Sequence, residues 1–161
     1  MRPNLRRLAT LGTCLAAAVA LGASHPVSAT DGDEDFTLFS REVPGDEEGE
    51  GGPPALGDSF AFADDLYRTK GGEKVGRDGV TCTVVRLGNP GDLQCIGTFA
   101  LSGGYITGQT LMQFDPADES AELPPFDIAI TGGTGDYEEA RGSIRSTDDG
   151  EYSKLDFRVR G

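Results

Sequence analysis

The chain is cut into short pieces. From Phe36 onward, apolar and polar residues alternate in runs of about five to ten residues, punctuated by stretches rich in Gly, Pro and Asp. Period-two alternation marks a strand, because successive side chains leave the backbone on opposite sides. Eight segments read this way: Phe36 to Arg41, Asp58 to Tyr67, Val80 to Leu87, Leu93 to Leu101, Tyr105 to Phe114, Phe126 to Ile130, Arg141 to Arg145 and Leu155 to Val159. Only Asp136 to Ala140 has the composition of a helical turn. Several strands, such as Ile106 to Met112, carry apolar residues on both faces. The reading is therefore all-β, an eight-stranded antiparallel closed barrel of lipocalin-like (calycin) shape. One face lines its interior and the other packs on loops or a partner. A two-sheet sandwich is the alternative.

The first 29 residues read as a secretory signal. Arg2, Arg6 and Arg7 precede an apolar run from Leu8 to Gly22, and Val27-Ser28-Ala29 fits a small-x-small cleavage site. The run is too short and Ala-rich for a membrane span. Cys14 is a weaker lipid-anchor candidate, since most of the apolar run follows it, and a retained anchor is the alternative to cleavage. Residues 30–57 form an acidic, Gly- and Pro-rich segment that contains the first strand at 36–43; residues 58–161 supply the rest of the barrel. Thr30-Asp-Gly-Asp-Glu-Asp35 lacks the Gly and the distal Glu of a calcium loop and reads as a solvated tail. Pro44 to Pro54 reads as a linker. The whole chain carries 14 basic and 27 acidic residues, a net of −13. Removing the signal with its three Arg leaves 11 against 27, a net of −16. That balance excludes nucleic acid and anionic membrane surfaces as partners, which require clustered Lys and Arg.

The lone His25 lies inside the signal, and there is no Trp. No Ser-His-Asp triad, Cys-His dyad or His-ligated zinc can form in the mature chain. No metal or cofactor is expected, and acid-base work falls to Asp, Glu, Tyr or Lys. Cys82 and Cys95 flank Leu87-Gly-Asn-Pro-Gly-Asp92, a turn sequence. An even pair in an exported chain reads as a disulfide across a hairpin.

Ile130-Thr-Gly-Gly-Thr-Gly-Asp-Tyr-Glu-Glu-Ala-Arg-Gly142 looks like a phosphate loop. It lacks the Lys of a P-loop, and Glu138 and Glu139 stand where phosphate would be repelled. It reads as a structural turn in which Gly132, Gly133 and Gly135 supply unusual backbone, Tyr137 packs as a plug and Arg141 pairs with an acid or carbonyl. The stretch resembles the signature of dirigent proteins and a related stretch of allene oxide cyclases. Leu56-Gly-Asp-Ser-Phe-Ala-Phe-Ala-Asp-Asp-Leu-Tyr67 is similar to the cyclase Leu-Gly-Asp segment. Val75-Gly-Arg-Asp-Gly79 is similar to the dirigent Val-Gly-Arg-x-x-Gly, and Phe99 to Phe114 to the cyclase Val-Gln-Gly segment.

This resemblance covers about residues 36 to 160 and implies a barrel with an apolar cavity. There, a reactive intermediate is held in one conformer away from water. It implies an isomerase or cyclase without cofactor, a small apolar molecule as ligand, a homo-dimer or trimer, and for the dirigent type a separate oxidase partner. It places the cyclase second-strand Asn at Asp64, the candidate acid/base, beside Phe60 and Phe62. Solvent exposure or pairing with an Arg is the other reading of Asp64. Arg77 matches the dirigent Arg. Tyr105, Thr107 and Gln109 alternate on one face, either lining the cavity or facing outward. The first-strand Glu-x-Asn of the cyclases has no counterpart in Phe36 to Ser40. Two further functions use the same barrel: a non-catalytic carrier, and a surface interaction protein whose interior is filled.

Overall fold

A computed structural model describes residues 33–45, 53–116 and 123–161. The signal sequence and most of the acidic linker lie outside the described residues. The strands are β1 (Glu34–Glu42), β2 (Ser59–Phe62), β3 (Asp64–Tyr67), β4 (Lys74–Arg86), β5 (Gly91–Leu101), β6 (Gly104–Phe114), β7 (Phe126–Gly133), β8 (Arg141–Asp148) and β9 (Ser153–Arg160). All pairings are antiparallel, and β2 and β3 lie end to end along one edge of β4. Counted as one, they make eight staves in chain order. β9 returns to β1, so the sheet closes. Closure satisfies strand edges that an open sheet would expose. Among the described residues, no helix is long and apolar enough to cross a membrane.

The inward set follows from register. Leu38, Leu66, Phe99, Ile106, Ile130, Ile144, Leu155, Phe157 and Val159 form one cluster. Phe36 stacks on Phe157 at 4.6 Å between ring centroids, and Phe99 meets Phe157 edge-on at 5.3 Å. This layer fills the middle of the barrel, each large side chain contributing about 1.5–3 kcal/mol by burial. Outside the sheet, Tyr152 receives the Gly71 N–H at 3.1 Å and meets Tyr67 edge-on. Those contacts clip the β3–β4 turn to the β8–β9 turn.

Several expectations change. The strand expected over 58–67 breaks at Ala63, and β4 begins at Lys74 rather than Val80. Glu34 and Asp35, expected in a solvated tail, are exposed but begin β1, and Asp33 and Asp35 both pair with Arg160. Gly132 and Gly133 are strand residues; the turn proper is a 3-10 turn, Gly135–Tyr137, that starts one residue before the stretch marked as helical and covers its first two residues. It is tied to the β5–β6 turn, with Asp136 donating to the Gly103 carbonyl at 3.0 Å and Thr134 to the Tyr105 carbonyl at 2.9 Å. Gly135 has φ +64°, and a side chain there would run into the Gly103 carbonyl. Tyr137 packs against the central cluster as expected. Arg141 is exposed opposite Arg160 and has no ion pair among the described residues.

Cys82 and Cys95 are bonded and stand directly opposite each other on β4 and β5. They are 13 residues apart, so the bond closes a short loop in the unfolded chain. Cys82→Ser with Cys95→Ser should lower stability by about 3 kcal/mol in denaturant unfolding. Intact mass should rise by about two daltons on reduction, and no shift would mean no bond.

Candidate active site

The barrel interior is not filled to both ends. On one side of the aromatic layer, Gly97 of β5 faces Gly108 of β6. Two residues without side chains, directly opposite each other, leave room. A cavity of ≈ 100 Å³ opens there, walled by Val80, Phe99, Met112, Phe126, Ile128 and Leu155. For scale, an engineered apolar cavity of about 150 Å³ binds benzene. This cavity therefore suits one ring, or the reactive end of a longer molecule.

Its polar groups are few. Ser40, Asp64, Asp78, Thr110, Ser146 and Ser153 reach it. Asp78 is 5% exposed and Asp64 half-buried. The backbone N–H of Asp64 donates to Asp78 Oδ1 at 3.1 Å. The ladder breaks between β2 and β3 at this point: β2 pairs with Val80 to Thr83, β3 with Lys74 to Arg77, and the Asp78 side chain takes the intervening N–H. The strand break and the buried carboxyl are thus one feature. Ser146 is 6% exposed and its side chain lines the cavity.

Burial pushes the Asp78 carboxyl up to about 7, and the Asp64 charge pushes the same way against the Asp64 N–H bond. Asp64 is also raised, chiefly by burial, with Glu42 and Asp65 adding to it and a Ser40 hydrogen bond opposing. Two carboxyls on one cavity wall cannot both ionise cheaply, and Asp78, buried beside the Asp64 charge, is the one whose proton affinity reaches the neutral range. One member can then accept a proton while the other donates.

Of the two readings the sequence left open for Asp64, the structure has it line the cavity while half-buried, and no Arg pairs with its carboxyl among the described residues. Phe60 and Phe62 continue its face, their rings 6.4 Å apart, but lie beyond the cavity lining, with Phe60 49% exposed. The other expected wall faces outward. Ile106 and Gly108 point inward, so Tyr105, Thr107 and Gln109 must point out, and Tyr105 is 48% exposed. Arg77 likewise faces out, in register with Asp65 and Ala100. These three candidates, Arg77, Tyr105 and Gln109, cannot line this cavity. Asp78 was missed. Its signal was alternation: Gly76, Asp78, Val80 and Cys82 share a face, which put a carboxyl in line with a disulfide. The glycine-rich stretch lies at the opposite end. There a wider hollow of ≈ 320 Å³ is lined by Phe36, Leu101 and Tyr137 and rimmed by Glu34, Arg68, Glu73 and Lys74. It contains no buried titrating pair.

No family profile matches the chain, and no curated protein matches it in sequence. Among solved structures, the chain is similar to one described as pyocyanin demethylase. The TM-score is 0.62 and the identity 26%, over 78% of this chain and 99% of that chain. The likeness fits the barrel and relates it in shape to an enzyme.

Asp78 holds its proton more tightly in the folded barrel, at about 7, than in the unfolded chain, at 3.8. Between those values the folded state carries the extra proton, so this group lowers stability as pH rises, with the full cost present above about 7. Asp78→Asn keeps an oxygen for the Asp64 N–H and removes the charge. It should change the melting temperature little near pH 4 and raise stability near pH 8 by a few kcal/mol. Thermal melts at both pH values check this; an equal effect at both would remove the carboxyl as the cause.

Proposed function

We propose that this barrel binds a small, mostly apolar molecule, about one ring across at its reactive end, and moves a proton on it with the Asp64–Asp78 pair. The reaction class is cofactor-free isomerisation or cyclisation of a reactive intermediate, in the manner of dirigent proteins and allene oxide cyclases. The observation that carries this reading is two neighbouring carboxyls, Asp64 and Asp78, joined through the Asp64 N–H and set into a mostly apolar cavity. Asp78, protonated, would donate to a substrate oxygen. Asp64, ionised, would accept a proton from carbon. Ser146 would orient the substrate, and the apolar wall would exclude water and restrict the conformers.

The pyocyanin demethylase likeness supports catalysis on such a barrel. Export is part of the proposal, supported by the Cys82–Cys95 bond, which suits an oxidising compartment. A dirigent-type coupling would draw its radicals from a separate oxidase, and assembly as a dimer or trimer belongs to the same proposal. The carrier reading keeps the cavity and drops the proton transfer. It is favoured if ligands bind but the carboxyls prove dispensable.

The test combines mass spectrometry of molecules co-purifying with the protein and turnover of whatever is identified. Asp64→Asn and Asp78→Asn should each cut turnover by about 100-fold or more. The wild-type rate should fall as pH rises through about 7, where Asp78 loses its proton. Retained turnover in both variants would sink the proton-transfer mechanism, and Gly97→Val, which fills the cavity, should abolish binding.

A further inference from the structure

The inward-facing positions at the cavity end are unbalanced in charge. Glu42 stands opposite Asp64 at the end of β1, and Asp148 stands opposite the cavity-lining Ser153 at the end of β8. With Asp64 and Asp78 they make a rising series of carboxyls from the cavity to its mouth. No Lys or Arg faces inward here among the described residues. From β1 the inward residues are Ser40 and Glu42; from β2 and β3, Phe60, Phe62 and Asp64. From β4 they are Asp78, Val80 and Cys82, and from β5, Cys95 and Gly97. From β6 they are Gly108, Thr110 and Met112, from β7, Phe126 and Ile128, and from β8 and β9, Ser146, Asp148 and Ser153. The basic residues nearby are turned away: Arg77 faces outward, Lys74 pairs with Asp65, and Arg41 lies over the Tyr67 and Tyr152 rings outside the sheet. Asp148 Oδ1 accepts the Gly150 N–H, which holds that carboxylate at the mouth.

We propose that the cavity mouth is a charge filter, with Glu42 and Asp148 as specificity-determining residues, so that the site takes organic cations and uncharged molecules and turns away carboxylates of equal size. This rests on the reading of the cavity as the ligand site. Field lines converge in a cleft of one sign with low-dielectric walls, so exposed carboxylates at its rim act on a charged ligand more strongly than the same charges on an open face. The Ser146 hydroxyl on the cavity wall is matched by a neutral polar group, and the two carboxyls by a hydrogen-bond donor. Neither asks for an anion. Within the proposed reaction class, this selects uncharged phenolic or carbonyl intermediates over a fatty-acid derivative entering by its carboxylate.

The test uses three probes of one size, benzylammonium, benzyl alcohol and benzoate, titrated at low salt and pH 8 with protein-observed NMR. Benzylammonium should bind most tightly, benzyl alcohol next and benzoate least. Glu42→Gln with Asp148→Asn, in which the amide oxygen can keep the Gly150 contact, should close the gap between cation and anion by about tenfold or more while benzyl alcohol moves less than about twofold. The control Glu138→Gln with Glu139→Gln, at the far end of the barrel, removes the same overall charge and should leave the gap largely open. The filter is overturned if benzoate binds as well as benzyl alcohol, or if the control closes the gap as far as the mouth variant does. If none of the probes binds, or benzyl alcohol binds Gly97→Val unchanged, the cavity reading itself fails and takes the filter with it. A filter that fails while benzyl alcohol still depends on Gly97 leaves the proton-transfer reading standing.

Discussion

Closure of the sheet is the constraint on which everything else in this barrel depends. Once β9 returns to β1, every second residue of every strand is committed to a space about two side chains across. Polar atoms pointing inward must then find partners inside. At one end that space is met by close packing around Phe157. At the other it is met by omission, because Gly97 and Gly108 face each other and leave a void. A Cβ on Gly108 would come within 2.7 Å of Ile128 Cγ2, so the neighbouring strand has already closed up against that glycine. The cavity is thus a shape held by packing around it.

The same constraint explains why Asp78 is informative. A carboxyl with 5% exposure in a small barrel costs free energy whichever way it ionises. It also displaces a ladder hydrogen bond, because it takes the Asp64 N–H that β4 backbone would otherwise receive. The strand break, the burial of a titratable group and the raised proton affinity are three consequences of one side chain. Such local conflicts between stability and sequence are expected at functional sites, where strain and desolvation are retained because something uses them.

Much of the architecture was legible in the sequence because it is local. Period-two runs located the staves, Gly and Pro located the turns, and the turn between Cys82 and Cys95 brought the thiols opposite each other. Asp64 was legible because Phe60 and Phe62 share its face. What local pattern could not say is which face of a strand is inward when both carry apolar residues. On β6, Tyr105 and Leu111 compete with Ile106 and Met112. The outcome is set by register with β5 and by the irregularity between Thr107 and Gly108, both properties of the closed sheet. Arg77 misled for the same reason: a motif fixes residue order and says nothing of the side it faces. Asp78 lies just before the strand expected to begin at Val80, and only the 13-residue length of β4 places it within a strand.

Charge is distributed around this barrel in a way that net charge hides. The chain as a whole is at −13, yet β8 and β9 turn Arg141, Arg145, Arg158 and Arg160 to the outside, partly paired with Asp127, Asp33 and Asp35. Basic residues therefore exist in number, and among the described residues none is spent on the interior of the cavity end. A site meant for a carboxylate would place at least one of them there, since desolvating an anion beside two carboxyls without a cation is unfavourable at any pH where they ionise. Exclusion of anions and a shared proton on Asp64 and Asp78 are consequently not separate features. Burial and the Asp64 charge raise the proton affinity of Asp78, no Lys or Arg among the described residues on that wall opposes them, and the lack of a cation also narrows what can enter. An Arg introduced into that wall would make the cavity accept carboxylates only by stripping the proton from the pair it needs for chemistry.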